Sequence, residues 1–94
     1  MHVDKAKKRI AKQVKKGDKG FPKISLEYFG ETTESANSVL VQFTLEEGAE
    51  VQEQRFASES DAREDETIQT AIVKIIERAD ANTVIEAPEI NVSN

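Results

Sequence analysis

Hydrophobic residues near the N-terminus recur every three or four positions, which places them on one side of a helix. These residues are Val3, Ala6, Ile10 and Val14. Gly17 and Gly20 follow them, and Pro22 prevents the helix from resuming. The pattern therefore predicts a helix over residues 3–16. Five positive charges within residues 5–12 repel one another, so we expect this helix to need a surface on which to dock.

Three segments in the middle of the chain alternate between hydrophobic and polar positions, which is typical of strands with one buried face. They cover residues 23–29, 39–46 and 51–57. Gly48 lies between the second and third segments, where its backbone freedom favours a tight turn. In the third segment Val51 and Phe56 fall on opposite faces. The sequence therefore indicates either a β-bulge in this strand or an exposed Phe56.

Helical spacing returns in the second half of the chain and predicts a helix over residues 61–79. Its buried side would contain Ile68, Ala71, Ile72, Ile75, Ile76 and Ala79. Ser60 or Asp61 can cap the N-terminus of this helix, and Asp61 with Glu64 has the spacing of a capping box. Residues 83–86 are expected to form a short extra strand or an extended tail.

This order of elements predicts an α+β fold in which a helix precedes three antiparallel strands and a second helix, with a possible short C-terminal strand. Both helices are expected to cover one face of the sheet. The other face would be polar, with Leu40 and Phe29 as its exposed hydrophobic positions. The chain of 94 residues has the length of one domain. We expect that domain to cover residues 1–88 and residues 89–94 to be a disordered tail.

The element order over residues 3–79 resembles that of double-stranded RNA-binding domains. In that family the second helix begins with a Ser followed by lysines that contact phosphates, and the first strand–strand loop carries a Gly-Pro-x-His pattern. Residues 60–66 of this chain present acids in place of those lysines, and the loop over residues 30–37 contains neither Pro nor His. Because duplex RNA is recognised through such paired contacts, we do not transfer the family's activity to this chain.

Charge is segregated along the chain, although its formal net charge is only −5. Residues 1–23 hold nine basic and two acidic residues, whereas the remainder holds four basic and sixteen acidic ones. The first segment thus carries +7 and the remainder −12. Such segregation is a recognised indication of an interaction surface. The candidate contact residues all lie on the first predicted helix: Lys5, Lys7, Lys8, Arg9, Lys12, Lys15 and Lys16.

The composition argues against several kinds of chemistry. The chain has no Cys, and its one His is His2, so thiolate and histidine chemistry are not expected. The acids of residues 61–66 lack the alternating ligands of a calcium loop, and residues 17–20 lack the spacing of a phosphate-binding loop. We therefore predict a protein that is not an enzyme and has no catalytic residue, cofactor or metal site.

The same sequence predicts a cytoplasmic location without membrane contact. A bilayer-spanning helix needs about 20 consecutive hydrophobic residues, and the chain contains no run of that length. The positive N-terminus is not followed by the hydrophobic segment of a signal peptide.

Three interpretations of the basic helix follow. The first is a protein-interaction or regulatory module, in which this helix or the exposed sheet face contacts a protein partner or a second copy of the chain. The second, less favoured because the acidic remainder repels polyanions, is binding to the phosphate backbone of RNA or DNA. In the third, the lysines only balance the acidic remainder, within the chain or across a dimer. Ammonium groups neutralised by the chain's own carboxylates would favour this last interpretation.

Overall fold

A computed structural model describes residues 2–92 of the chain. Within these residues the chain forms two helices and one five-stranded sheet. The helices are α1 (Val3–Lys15) and α2 (Glu66–Ala79). The strands are β1 (Lys23–Gly30), β2 (Ser38–Thr44), β3 (Gln52–Ala57), β4 (Thr83–Glu86) and β5 (Asn91–Val92). The predicted order of a helix, three strands, a helix and a short C-terminal strand is confirmed.

The sheet is mixed, because its central strand β1 has antiparallel and parallel neighbours. On one side β1 pairs antiparallel with β2, which in turn pairs antiparallel with β3. On the other side β4 and β5 run parallel to β1. A parallel neighbour requires a crossover connection, and α2 lies in the connection that carries the chain from β3 to β4. The three predicted strands are antiparallel as expected, and the fourth adds the parallel pairing.

The hydrophobic core lies between the two helices and one face of the sheet, as predicted. Ala6 and Ile10 of α1 and Ile72 and Ile76 of α2 belong to the same buried cluster as Leu26 of β1. Burying one such Ile side chain stabilises the fold by roughly 1.5–3 kcal/mol. The two helices therefore depend on the same core.

Helix α2 begins five residues later than predicted, because a different residue caps it. Its N-cap is Asp65, whose side chain accepts a hydrogen bond from the backbone N–H of Ile68 at 3.2 Å. The predicted caps at Ser60 or Asp61 are wrong. The Asp61 carboxylate instead accepts a hydrogen bond from the backbone N–H of Ala36 at 3.4 Å, which ties it to the loop between β1 and β2.

The buried side of α2 is also turned relative to the predicted one. Gln69 and Val73 are buried, whereas Ala71, Ile75 and Ala79 are only half-buried. The buried side therefore contains one polar residue that the hydrophobic periodicity did not select.

Strand β3 contains neither of the two predicted irregularities. Its pairing with β2 is continuous, and Phe56 pairs with Val39 on the face that the helices cover. Phe56 is half-buried and packs against the core. Val51 precedes the strand and is 48% exposed. The alternation fails because Val51 belongs to the connection between β2 and β3 and not to the strand.

The segment predicted to be a disordered tail, residues 89–94, is placed against the sheet in its first part. Ile90 is buried, and β5 pairs with Phe29 and Gly30 at the end of β1. Ser93 and Asn94 lie outside the described residues. Neither helix in residues 2–92 has the length and hydrophobicity needed to span a membrane.

Candidate functional site on the basic helix

Helix α1, which carries all but the last of the predicted contact residues, is packed onto the fold. Ala6 and Ile10 are buried, Val14 packs against the core, and the helix contacts α2 and β4. This tertiary packing offsets the repulsion between its like charges. The packing also fixes the direction in which the basic side chains point.

Two of the seven predicted contact residues are paired with carboxylates of the same chain. Lys7 forms a salt bridge with Glu64, and the Arg9 Nη1 atom lies 3.4 Å from the Glu77 Oε1 atom. All four side chains are at least 40% exposed, so each pair contributes only about 0–1 kcal/mol to stability. These two cations nevertheless have their charge neutralised within the chain.

The other five predicted contact residues lie on the outward side of the helix, opposite Ala6 and Ile10. They are Lys5, Lys8, Lys12 and Lys15 of α1 together with Lys16, its C-cap, and we call them the lysine stripe. A helix turns about 100° per residue, which places all five within an arc of about 100° along roughly 16 Å of helix. All are exposed, and none lies within 4.0 Å of a carboxylate of residues 2–92.

The lysine stripe concentrates positive charge on one side of a helix that is packed against the core. Lys5 and Lys8, Lys8 and Lys12, and Lys12 with both Lys15 and Lys16 are three or four positions apart, a spacing at which like charges repel on a helix. The negative end of the helix dipole favours Lys12 and Lys15 in the last turn. Asp4, an acid in the first turn, lies at the margin of the stripe. A negatively charged partner would relieve the remaining repulsion.

A groove of about 690 Å³ runs beside α1, between that helix, the turn before α2 and the chain that follows β4. Two buried polar side chains, Tyr28 and Gln69, line it. Gln69 Nε2 donates hydrogen bonds to the Tyr28 hydroxyl and to the Ala62 carbonyl, each at 3.0 Å. Burial raises the pKa of Tyr28. Sequence periodicity missed this pair because the two residues are 41 positions apart. The local signal for it was a Gln among hydrophobic residues of a helix.

Most charges that line the groove are engaged within the fold. The Arg63 guanidinium donates to both Asp61 carboxylate oxygens, with Nη2–Oδ2 at 2.9 Å and Nε–Oδ1 at 3.1 Å. These hydrogen bonds hold the pKa of Asp61 below its ordinary value. The Glu86 side chain lies at the surface, yet the neighbouring protein partly desolvates its carboxylate and so raises its pKa. No group of three or more His, Asp or Glu side chains in residues 2–92 is arranged to hold a metal ion.

The second predicted contact surface, the sheet face away from the helices, also carries Ile85 of β4, which pairs with Ser25 and is 45% exposed. Phe29 and Leu40 are half-buried there. The Arg55 guanidinium lies 4.8 Å from the centroid of the Phe29 ring, a cation–π geometry. Phe29 and Leu40 therefore offer less free apolar surface to a partner than the sequence predicts.

Comparison of the chain with models of known protein families, with curated proteins and with solved structures gives no match.

Proposed function

We propose that this chain is a small, non-enzymatic, cytoplasmic interaction module whose lysine stripe binds an acidic protein surface. The observation that supports this proposal is the set of five exposed lysines without a carboxylate partner in residues 2–92, on one side of a helix anchored in the core. A fixed surface of one charge attracts a partner of opposite charge and accelerates its association.

The distribution of ion pairs supports an external partner over internal charge balance. The acidic remainder of the chain holds sixteen carboxylates, yet α1 uses only Glu64 and Glu77. Those two acids pair with Lys7 and Arg9, which lie on the two flanks of the helix between its buried side and its outward side. The lysines of the outward side have no carboxylate partner in residues 2–92. The stripe therefore retains its charge for a molecule outside the fold.

The chemistry of the stripe favours a protein partner over a nucleic acid. The stripe contains no aromatic residue on which a base could stack and no Arg for two-pronged recognition of phosphate. A duplex carries about one charge per 1.7 Å along its axis, so it would extend beyond the stripe toward the acidic remainder. A short acidic helix or loop matches the length of the stripe without that conflict.

A titration with defined acidic probes tests the proposal. A short poly-glutamate peptide is added to the isotope-labelled protein, and the backbone amide shifts are followed by NMR at low and high salt. Parallel titrations use single-stranded RNA and duplex DNA of matched charge. We expect the peptide to shift amides of α1 at low salt and to lose that effect at high salt.

Matched variants separate the stripe from net charge. Lys8→Glu with Lys12→Glu reverses two members of the stripe, and Lys74→Glu with Arg78→Glu makes the same change of charge on exposed positions of α2. We expect the first pair to abolish peptide binding and the second to retain it. Equal loss in both pairs, absence of peptide binding, or tighter binding of RNA or DNA than of the peptide would contradict the proposal.

A further inference from the structure

Strand β3 forms one edge of the sheet. The strand order is β3–β2–β1–β4, so β3 pairs with β2 on one side and with no strand of residues 2–92 on the other. An unpaired strand edge carries backbone N–H and C=O groups that can accept a further strand. The side chains along this edge determine which strand it can accept.

The hydrogen bonds to β2 identify the backbone groups that point outward. The Ser58 N–H donates to the Asn37 carbonyl at 2.8 Å and extends the ladder one position beyond Ala57. In an antiparallel ladder alternate residues bond to the neighbouring strand. Gln52, Gln54 and Phe56 therefore use their backbone groups on β2. The N–H and C=O groups of Glu53 and Arg55 point away from the sheet.

The charges of these two outward-bonding residues favour pairing of the edge with itself. An antiparallel second copy with its two-fold axis at Gln54 places Glu53 opposite the partner subunit's Arg55, and the same pair recurs across the axis. Such cross-strand opposite charges stabilise a sheet, whereas like charges destabilise it. Axes at Glu53 or at Arg55 would set identical charges opposite each other. One register therefore satisfies both the outward hydrogen-bonding groups and the charges.

We infer that two copies of this chain associate through β3 in that register and form one continuous sheet. Neighbours already hold both charged side chains on the open sheet face. Gln42 Nε2 donates to Glu53 Oε2 at 2.7 Å, and Arg55 lies over the Phe29 ring. The same register places the exposed Val51 opposite the partner subunit's Ala57, which removes apolar surface from water. This interface does not use the lysine stripe.

Sedimentation equilibrium over a range of protein concentrations tests the inference. We expect a dimer in the unmodified chain. Arg55→Glu and Glu53→Arg each set like charges opposite each other across the axis, so each is expected to raise the dissociation constant at least tenfold. Exchange of both residues, Glu53→Arg with Arg55→Glu, restores opposite charges and is expected to restore the dimer. Far-UV circular dichroism establishes that each variant is folded.

Three results would overturn the inference. They are a monomer at every concentration, a dimer that tolerates both single reversals, and a failure of the double exchange to restore association when the single variants are folded monomers. The stripe variant Lys8→Glu with Lys12→Glu is the control, and its dissociation constant is expected to be unchanged. This control separates failure of the β3 interface from failure of the proposed function.

Discussion

The buried pair of Tyr28 and Gln69 shows how one polar residue connects three parts of the fold. The Gln69 amide joins α2, the Ala62 carbonyl in the preceding turn, and the Tyr28 hydroxyl on β1. Gln69→Ala leaves a buried carbonyl without this donor, which costs about 1–3 kcal/mol. Tyr28→Phe retains the bond to Ala62, and we expect it to cost less, about 0.5–1.5 kcal/mol. Urea unfolding of both variants checks this order, and a larger loss for Tyr28→Phe would contradict it.

Asp61 makes stability depend on pH at the acidic end of the range. Hydrogen bonds from Arg63 hold the pKa of the folded Asp61 carboxyl below its ordinary value of 3.8. The pair therefore stabilises the fold above that ordinary value, and the contribution is lost as the pH falls through the depressed folded pKa. Asp61→Asn is expected to be less stable at neutral pH and to lose less stability below about pH 4. Urea midpoints measured against pH test this, and parallel profiles for the two proteins would exclude the assignment.

At the scale of the element, the start of α2 depends on Asp65. Its side chain caps the helix and accepts a hydrogen bond from Ser58 Oγ at 2.9 Å. Asp65→Ala is expected to cost about 0.5–2 kcal/mol of folding stability because the capped backbone N–H loses its acceptor. Ser60→Ala is the control: it removes only an exposed hydroxyl that lies 3.3 Å from Ser58 Oγ, so thermal unfolding should show a much smaller change for it. A larger effect at Ser60 would place the helix start where the sequence predicts it.

The sequence predicted elements best where local pattern alone decides them. Strand β1 and helix α1 follow from alternation and helical spacing, and both lie within one residue of the predicted bounds. The start of α2 was not predicted correctly, because Asp61 and Asp65 are both good capping residues and the local pattern does not distinguish them. The backbone N–H of Ala36, 25 positions away, engages Asp61. The parallel pairing of β4 likewise depends on contacts that no local pattern records.

At the scale of the whole molecule, the fold divides the basic residues into two sets. The sequence identified all seven candidates, but it could not separate the paired residues from the stripe. Lys7 and Arg9 find their partners 57 and 68 positions away along the chain. Only the packing of α1 against the rest of the chain brings those acids within reach. Sequence periodicity therefore predicts which side of α1 faces outward, whereas the pairing of Lys7 and Arg9 depends on the fold.

The stripe can act as one surface only if α1 unfolds together with the rest of the domain. Ile10 is 2% exposed and lies in the core that also contains Ile72. Ile10→Ala and Ile72→Ala are therefore each expected to lower the free energy of unfolding by about 2–5 kcal/mol. Amide hydrogen exchange should show comparable protection in α1 and α2 in the unmodified chain. If α1 exchanged freely while α2 stayed protected, the helix would open separately. The lysines would then have no fixed geometry to offer an acidic partner.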